Sequence, residues 1–224
     1  MEKTLLKNKL QVIENFYDER DPIKWIKDFG VPVAQDYNGS MIIEVTTEAP
    51  TIKESLSAKE DLPWHHDKGY RQDVHDFVAL YCIEADNAGA IQFCDMEAAY
   101  NDAPEHLKEQ EYCLHSVKKF FDNNPEHPCS FDSAAEERLY KRSKAYHNLI
   151  VDNSYFFFSE AYTSSKNEEE LISHCYQDKY ITTHRYRTGD LILYDNKRLC
   201  HRRSGTANGI KKLLRFALNG VRLL

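Results

Sequence analysis

Tyr180-Ile181-Thr182-Thr183-His184-Arg185-Tyr186-Arg187, then Thr188-Gly189-Asp190, then Leu191-Ile192-Leu193-Tyr194-Asp195-Asn196 is the stretch that decides the fold. Two runs of strand length, rich in β-branched and aromatic residues, flank a Gly-Asp turn. A third strand is predicted over residues 211–218, and others over 41–45, 77–83, 91–94 and 155–158. Helices are predicted between them. Leu5, Leu6, Leu10, Val12, Ile13 and Phe16 recur at roughly helical spacing, which predicts an amphipathic helix over 3–16. Asp21-Pro22 opens a short helix that Gly30 stops, Asp95 caps one over 96–100, Pro104 opens another, and a last one covers 167–176. Short strands separated by turns, with helices alongside, predict a mostly β fold with flanking helices, a barrel or sandwich. No repeat, linker or low-complexity tract interrupts the chain, so one domain is expected over residues 1–224. Residues 46–61 and 121–145 read as loops or lids over a site.

Upstream, Leu62-Pro63-Trp64-His65-His66-Asp67-Lys68-Gly69-Tyr70 carries the chemistry. In an extended segment His65 and Asp67 share one face and His66 takes the other. An imidazole and a carboxylate so placed make two sides of a metal site that needs a third ligand from elsewhere. Two His and one carboxylate form the facial triad that holds Fe(II) and leaves positions open for oxygen chemistry.

Composition narrows the rest. The chain has 224 residues, 42% of them hydrophobic, and a net charge of −7, which gives it no basic footprint for nucleic acid. Its six cysteines include no Cys-x-x-Cys pair, so zinc-ribbon and thioredoxin chemistry lack their signature. No apolar run approaches membrane-span length and the N-terminus has no signal-peptide core. A cytoplasmic protein with reduced thiols is expected, bound to neither membrane nor nucleic acid.

In three segments the chain resembles the taurine dioxygenase-like (TauD/TfdA) branch of the Fe(II)/2-oxoglutarate-dependent oxygenases. Trp64-His65-His66-Asp67 resembles the first metal motif. Residues 88–100, Ala-Gly-Ala-Ile-Gln-Phe-Cys-Asp-Met-Glu-Ala-Ala-Tyr, resemble the family's Gly-Gly-x-Thr strand and the helix after it. Residues 187–196 through His201-Arg202 resemble the stretch that delivers the second His. The resemblance implies a double-stranded β-helix, the cupin-like jelly roll. It implies Fe(II) held by His65, Asp67 and His201, with 2-oxoglutarate as cosubstrate and O2 as oxidant. It also implies a basic pair, Lys211 and Arg215, near the cosubstrate's far carboxylate. A carboxylate at position 67, where halogenating relatives have a small residue, implies hydroxylation, desaturation or a related C–H oxidation.

Two positions depart from the family pattern. Lys211 stands where the family has Arg, and Lys lacks the bidentate fork; Lys212 is the register alternative. Ile91 stands where the family has a Thr that bonds the cosubstrate, and an apolar side chain makes no such bond. The implied function is an oxygenase acting on a small polar metabolite. An amino acid or similar carboxylate is suggested by Lys68, Arg71, Arg202, Arg203 and Arg215, close in sequence to the ligands. Arg198, Arg202 and Arg203 read either as a substrate-facing cluster or as a solvated turn. The departures keep two alternatives open: an Fe(II)/O2 oxidase that does not use 2-oxoglutarate, and a non-catalytic binding protein on the same fold.

Overall fold

The structure is a computed structural model that describes residues 3–6, 9–35, 39–47, 62–67, 75–108, 111–114, 146–148, 163–164, 168–204 and 209–220. The expected lid over 121–145, the aromatic strand over 155–158, and Lys68, Tyr70 and Arg71 lie outside the described residues, as does most of the 46–61 loop.

Two antiparallel sheets carry the architecture. The larger runs β1 (Lys3–Leu6), β2 (Leu10–Ile13), β12 (Leu191–Asp195), β6 (Phe77–Ala85), β14 (Lys211–Asn219) and β3 (Val31–Val33), with β4 (Ile43–Thr46) also paired to β14. The smaller runs β11 (Ile181–Arg185), β7 (Ala90–Asp95), β13 (Leu199–Ser204) and β5 (Leu62–His65). A separate small sheet joins β8 (Glu111–Leu114), β9 (Tyr146–Asn148) and β10 (Thr163–Ser164). The helices are α1 (Pro22–Ile26), α2 (Met96–Asn101), α3 (Glu105–Lys108) and α4 (Glu168–Cys175).

Strand alternation distributes the side chains over three apolar layers. Val78, Leu80, Ile91, Phe93, Ile192 and Tyr194 meet between the two sheets. Their neighbours Ala79, Leu191 and Leu193 point outward and pack with Trp25, Ile26 and Phe29 at α1. On the far side Trp64, Cys94 and Cys200 leave the four-stranded sheet of β11, β7, β13 and β5 to pack with Met96 and Ala99 of α2 and Leu171 and Cys175 of α4. Every residue of β12 is buried because both of its faces are covered. Facing antiparallel sheets filled between and covered outside form the double-stranded β-helix, as expected.

The helix expected over 3–16 is instead the hairpin of β1 and β2, and β2 pairs along β12 from Leu191↔Ile13 to Tyr194↔Leu10. Leu10 and Val12 enter the inter-sheet core while Ile13 joins the outer layer. These positions satisfy a period of two as well as a helical one. The backbone groups along one side of β12 need a partner strand, and that settles the choice.

The other helices start where their caps predict. Asp21 accepts from the Ile23 backbone N–H at 3.0 Å, and Asp95 from the Ala98 N–H at 3.0 Å. The 188–190 turn depends on Gly189 at φ +88. Gly209 has a steric role. A Cβ there would overlap the Asp86 carbonyl oxygen where Asp86 bonds back to Ile210. Gly209→Ala is therefore expected to destabilise the fold by about 1–3 kcal/mol, read as a lower thermal midpoint. No described helix is long and apolar enough to cross a membrane.

Candidate metal centre

β13 lies between β7 and β5, and register sets His201 against Phe93 on one side and His65 on the other. The two imidazoles come together with ring centroids 4.2 Å apart and planes tilted by 50°. Asp67 follows β5 and turns back toward them. Its Oδ1 lies 3.8 Å from His65 Nε2 and 3.9 Å from His201 Nε2. Among the described residues these are the group of His, Cys, Asp or Glu side chains placed to share one ion, with ligand atoms all within 4.8 Å and all three buried.

Asn196 holds the loop that carries Asp67. Its side-chain oxygen accepts the Asp67 backbone N–H at 2.9 Å, and its amide donates to the Asp67 carbonyl at 3.0 Å. The Asn196 carbonyl lies 2.7 Å from Nδ1 of His66, whose ring is fully buried away from the triad. Burial pushes His66 down to about 4, so it is a neutral structural residue. His66, expected on the face opposite His65 and Asp67, is turned away from the triad.

The electrostatics suit a cation. Burial pushes the Asp67 carboxyl up, but the Arg215 guanidinium and the two imidazoles outweigh it and hold the group well below the usual carboxylate range. Arg215 donates from Nε to Asp67 Oδ2 at 3.0 Å, with Nη2 2.7 Å from the same oxygen, and Nη1 donates to Gln35 Oε1 at 2.6 Å. Tyr194 donates to that Oδ2 at 3.2 Å and lies 3.4 Å from His201 Nε2. Oδ2 is thus the supported oxygen and Oδ1 the one turned toward the imidazoles. Burial, and His65 beside it, lower His201 well below the ordinary imidazole range. A neutral His201 and an ionised Asp67 are the protonation states a divalent ion requires of such ligands. The donor set fits the ion.

From the triad a cavity runs between the sheets, lined by Val45, Leu80, Ile91, Tyr186, Leu213, Arg202, Arg203, Lys211 and Arg215. Lys211, Leu213 and Arg215 alternate inward along β14. Lys212 faces the other way, 3.5 Å from Glu44, so Lys211 is the residue at the cavity. Ile91 lines the wall, 3% exposed. The sequence-predicted residues His65, Asp67, His201, Arg215, Lys211 and Ile91 therefore meet around one space. Of the arginines read either as a substrate-facing cluster or as a solvated turn, Arg202 and Arg203 line the cavity. Two further residues at the site escaped the sequence reading: Tyr194 and Gln35. Alternation along Leu191–Asp195 contained the signal for Tyr194. Gln35 had none.

Lys211 is 1% exposed, and its ammonium sits 5.4 Å from the centre of the Tyr186 ring. Burial first, and then the charge of Arg203, pushes it down to about 7. Between about pH 7 and the unfolded value near 10.4, the unfolded chain keeps a proton that the folded chain has released. Stability contributed at this site therefore rises with pH through that window. Lys211→Met should melt above wild type at neutral pH, and the difference should shrink toward pH ~10. A gap in Tm that is constant across that range would contradict the assignment.

Comparison with known proteins agrees with this geometry. The model of the family "Taurine catabolism dioxygenase TauD, TfdA family" matches residues 26–217. The chain belongs to the TauD/TfdA family. An alpha-ketoglutarate-dependent 2,4-dichlorophenoxyacetate dioxygenase from Burkholderia sp. (strain RASC) is 27% identical over 157 residues, 62% of this chain and 51% of that protein. The chain spans about half the length of the curated TauD/TfdA relatives it matches. Among solved structures, AAD-2 in complex with Mn(II) and N-oxalylglycine superposes with a TM-score of 0.68 at 19% identity, covering 95% of this chain and 84% of that one. A taurine dioxygenase from Burkholderia xenovorans gives 0.66 at 12% identity, covering 96% and 78%. These two structural matches carry the fold.

Proposed function

We propose that the protein is an Fe(II)- and 2-oxoglutarate-dependent oxygenase that oxidises a C–H bond of a small polar metabolite. The observation that carries the reading is the convergence of His65 Nε2, Asp67 Oδ1 and His201 Nε2 at one end of a cavity with cations along its wall. Iron bound there would supply the chemistry in which O2 converts 2-oxoglutarate to succinate and CO2 while a substrate C–H becomes C–OH. The chain's own residues hold and orient. Asn196 fixes the backbone of Asp67, Arg215 and Tyr194 fix its Oδ2, and the apolar wall of Val45, Leu80, Ile91 and Leu213 keeps water from the far end of the cavity. Phe93 and Tyr194 pack against His201 and hold its ring in place.

An amino-acid-like or other carboxylate substrate is supported by Arg202. Its guanidinium lies 4.6 Å over the Trp64 ring, Nε donates to Gln92 at 2.7 Å, and the side chain still reaches the cavity. Four buried free thiols, Cys82, Cys94, Cys175 and Cys200, support a cytoplasmic protein, and we read residues 1–224 as one domain. Ile91 favours a second reading, an Fe(II)/O2 oxidase that dispenses with 2-oxoglutarate, because its apolar side chain offers the cosubstrate no hydrogen bond.

Anaerobic titration of the Fe(II)-loaded protein with 2-oxoglutarate tests the proposal. A saturable visible charge-transfer band is expected, followed by succinate release when O2 and a screen of amino acids and other small carboxylates are added. Iron bound without a band, with O2 consumed but no succinate formed, would pick out the second reading.

A further inference from the structure

Among the described residues two lysines are buried, and they are held differently. Lys9 donates to both oxygens of Asp95, at 2.7 and 3.0 Å, and meets Glu97 as well, so carboxylates neutralise its charge. Lys211 is more deeply buried, and among the described residues no carboxylate lies within ion-pair reach of it. The groups that act on its amine are the face of the Tyr186 ring, the charge of Arg203 and the thiol of Cys82, which burial keeps un-ionised. The backbone of Lys211 is fixed at both of its polar groups. The N–H donates to Thr47 Oγ1 at 3.0 Å, and the carbonyl accepts the Thr47 N–H at 3.0 Å. Strand alternation sends Lys212 out toward Glu44 and Lys211 into the cavity, in the company of Val45, Leu80, Ile91 and Leu213. Burial without a counter-charge favours the neutral amine, and the fall to about 7 agrees with that geometry. A neutral lysine amine in a desolvated pocket beside a cation is activated as a nucleophile toward carbonyl carbon.

We infer that Lys211 is a covalent binding site for a small carbonyl compound, an aldehyde or a 2-oxo acid, which it holds as an imine inside the cavity. The step is closed in atoms and needs neither oxidant nor metal. The Nζ lone pair adds to the carbonyl carbon, and a proton passes from nitrogen to oxygen to give a carbinolamine. That oxygen then leaves as water with the second amine hydrogen, and a C=N bond remains. Because water is the product, an apolar cavity that excludes it favours the imine and slows its hydrolysis. This chemistry is separate from that of the metal centre and does not depend on it.

Reductive trapping on the full chain without added metal is the test, at about pH 7, with cyanoborohydride and either butanal or pyruvate. The reductant turns an imine into a stable secondary amine, and fragmentation of the labelled peptides assigns it to a residue. Lys212, the outward neighbour, serves as the internal standard. Lys211 should be labelled at least about tenfold faster than Lys212. A higher ratio with pyruvate assigns the site to 2-oxo acids, a higher one with butanal to neutral aldehydes, and equal ratios to the carbonyl group alone. Raising the pH to ~9 should speed Lys212 far more than Lys211, whose amine is already largely neutral. In urea the two residues should react at the same rate. Labelling of Lys211 in the folded protein no faster than that of Lys212, or a preference that persists in urea, overturns the inference. Either result leaves the oxygenase reading untouched, because no iron takes part.

Discussion

Replacing His201 with alanine should give a folded protein that no longer retains iron. The side chain is at the edge of an existing cavity rather than inside a packed layer, so its removal enlarges a space already present. Its strand stays anchored on both sides by β7 and β5, and Cys200 and Leu199 still face their apolar layers. What is lost is one of three ligands. Disturbing a mere supporting bond to a ligand commonly costs 10–100-fold in metal affinity, and loss of the ligand itself should exceed that. Iron stoichiometry after desalting should fall from one per chain to near zero, with the far-ultraviolet circular dichroism unchanged and the 2-oxoglutarate band absent. Full iron retention in the variant would remove the triad as the site. Asp67→Ala is a poorer first test, because it also strands the buried Arg215.

Why His201 was legible and Arg203 was not follows from the kind of signal each leaves. His65 and Asp67 stand two apart on one short extended segment, and the chain from Gly189 to His201 combines a turn, an apolar strand and a fixed approach to a ligand. Such local patterns survive in sequence. Arg203 was visible as a residue, but Leu199–Ser204 has few apolar positions, so a substrate-facing cluster and a solvated turn were both open. Only pairing with β7 on one side makes it a strand and turns Arg203 inward opposite Ile91.

The N-terminal segment failed for the opposite reason. Leu10, Val12 and Ile13 fit two periods, and the choice between them was made by β12, some 180 residues away, which no local window contains. The inward or outward direction of Lys211 and Lys212 was likewise fixed by strand pairing rather than by local pattern.

Arg215 is the residue for which sequence and structure suggest different chief roles, and its replacement by methionine should have the largest effect on stability. By its position on the last strand it was expected near a cosubstrate carboxylate. In the fold it meets a carboxylate of the protein's own, Asp67, 148 positions away, with both side chains almost fully buried. Removing one member of such a pair leaves an uncompensated buried charge and typically costs about 3–5 kcal/mol.

The sign with pH is definite. Asp67 is held below the usual carboxylate range, so its pairing contributes stability above the unfolded carboxyl value of about 3.9 and loses it as pH falls through the folded value. In Arg215→Met the stranded carboxyl takes up a proton more readily than it would unfolded. The variant's deficit should therefore be greatest near pH 7 and narrow toward pH ~4. Urea denaturation of the metal-free proteins at two pH values measures it.

Loading with Mn(II) gives Asp67 a cation again and should close part of the gap, and Arg215→Lys should do so without metal. A residue whose chief task is to anchor the cosubstrate would behave otherwise: metal-free stability would stay unchanged while 2-oxoglutarate affinity fell. That outcome would return Arg215 to the role its sequence position suggests and leave Asp67 to be held by Tyr194 and Asn196 alone.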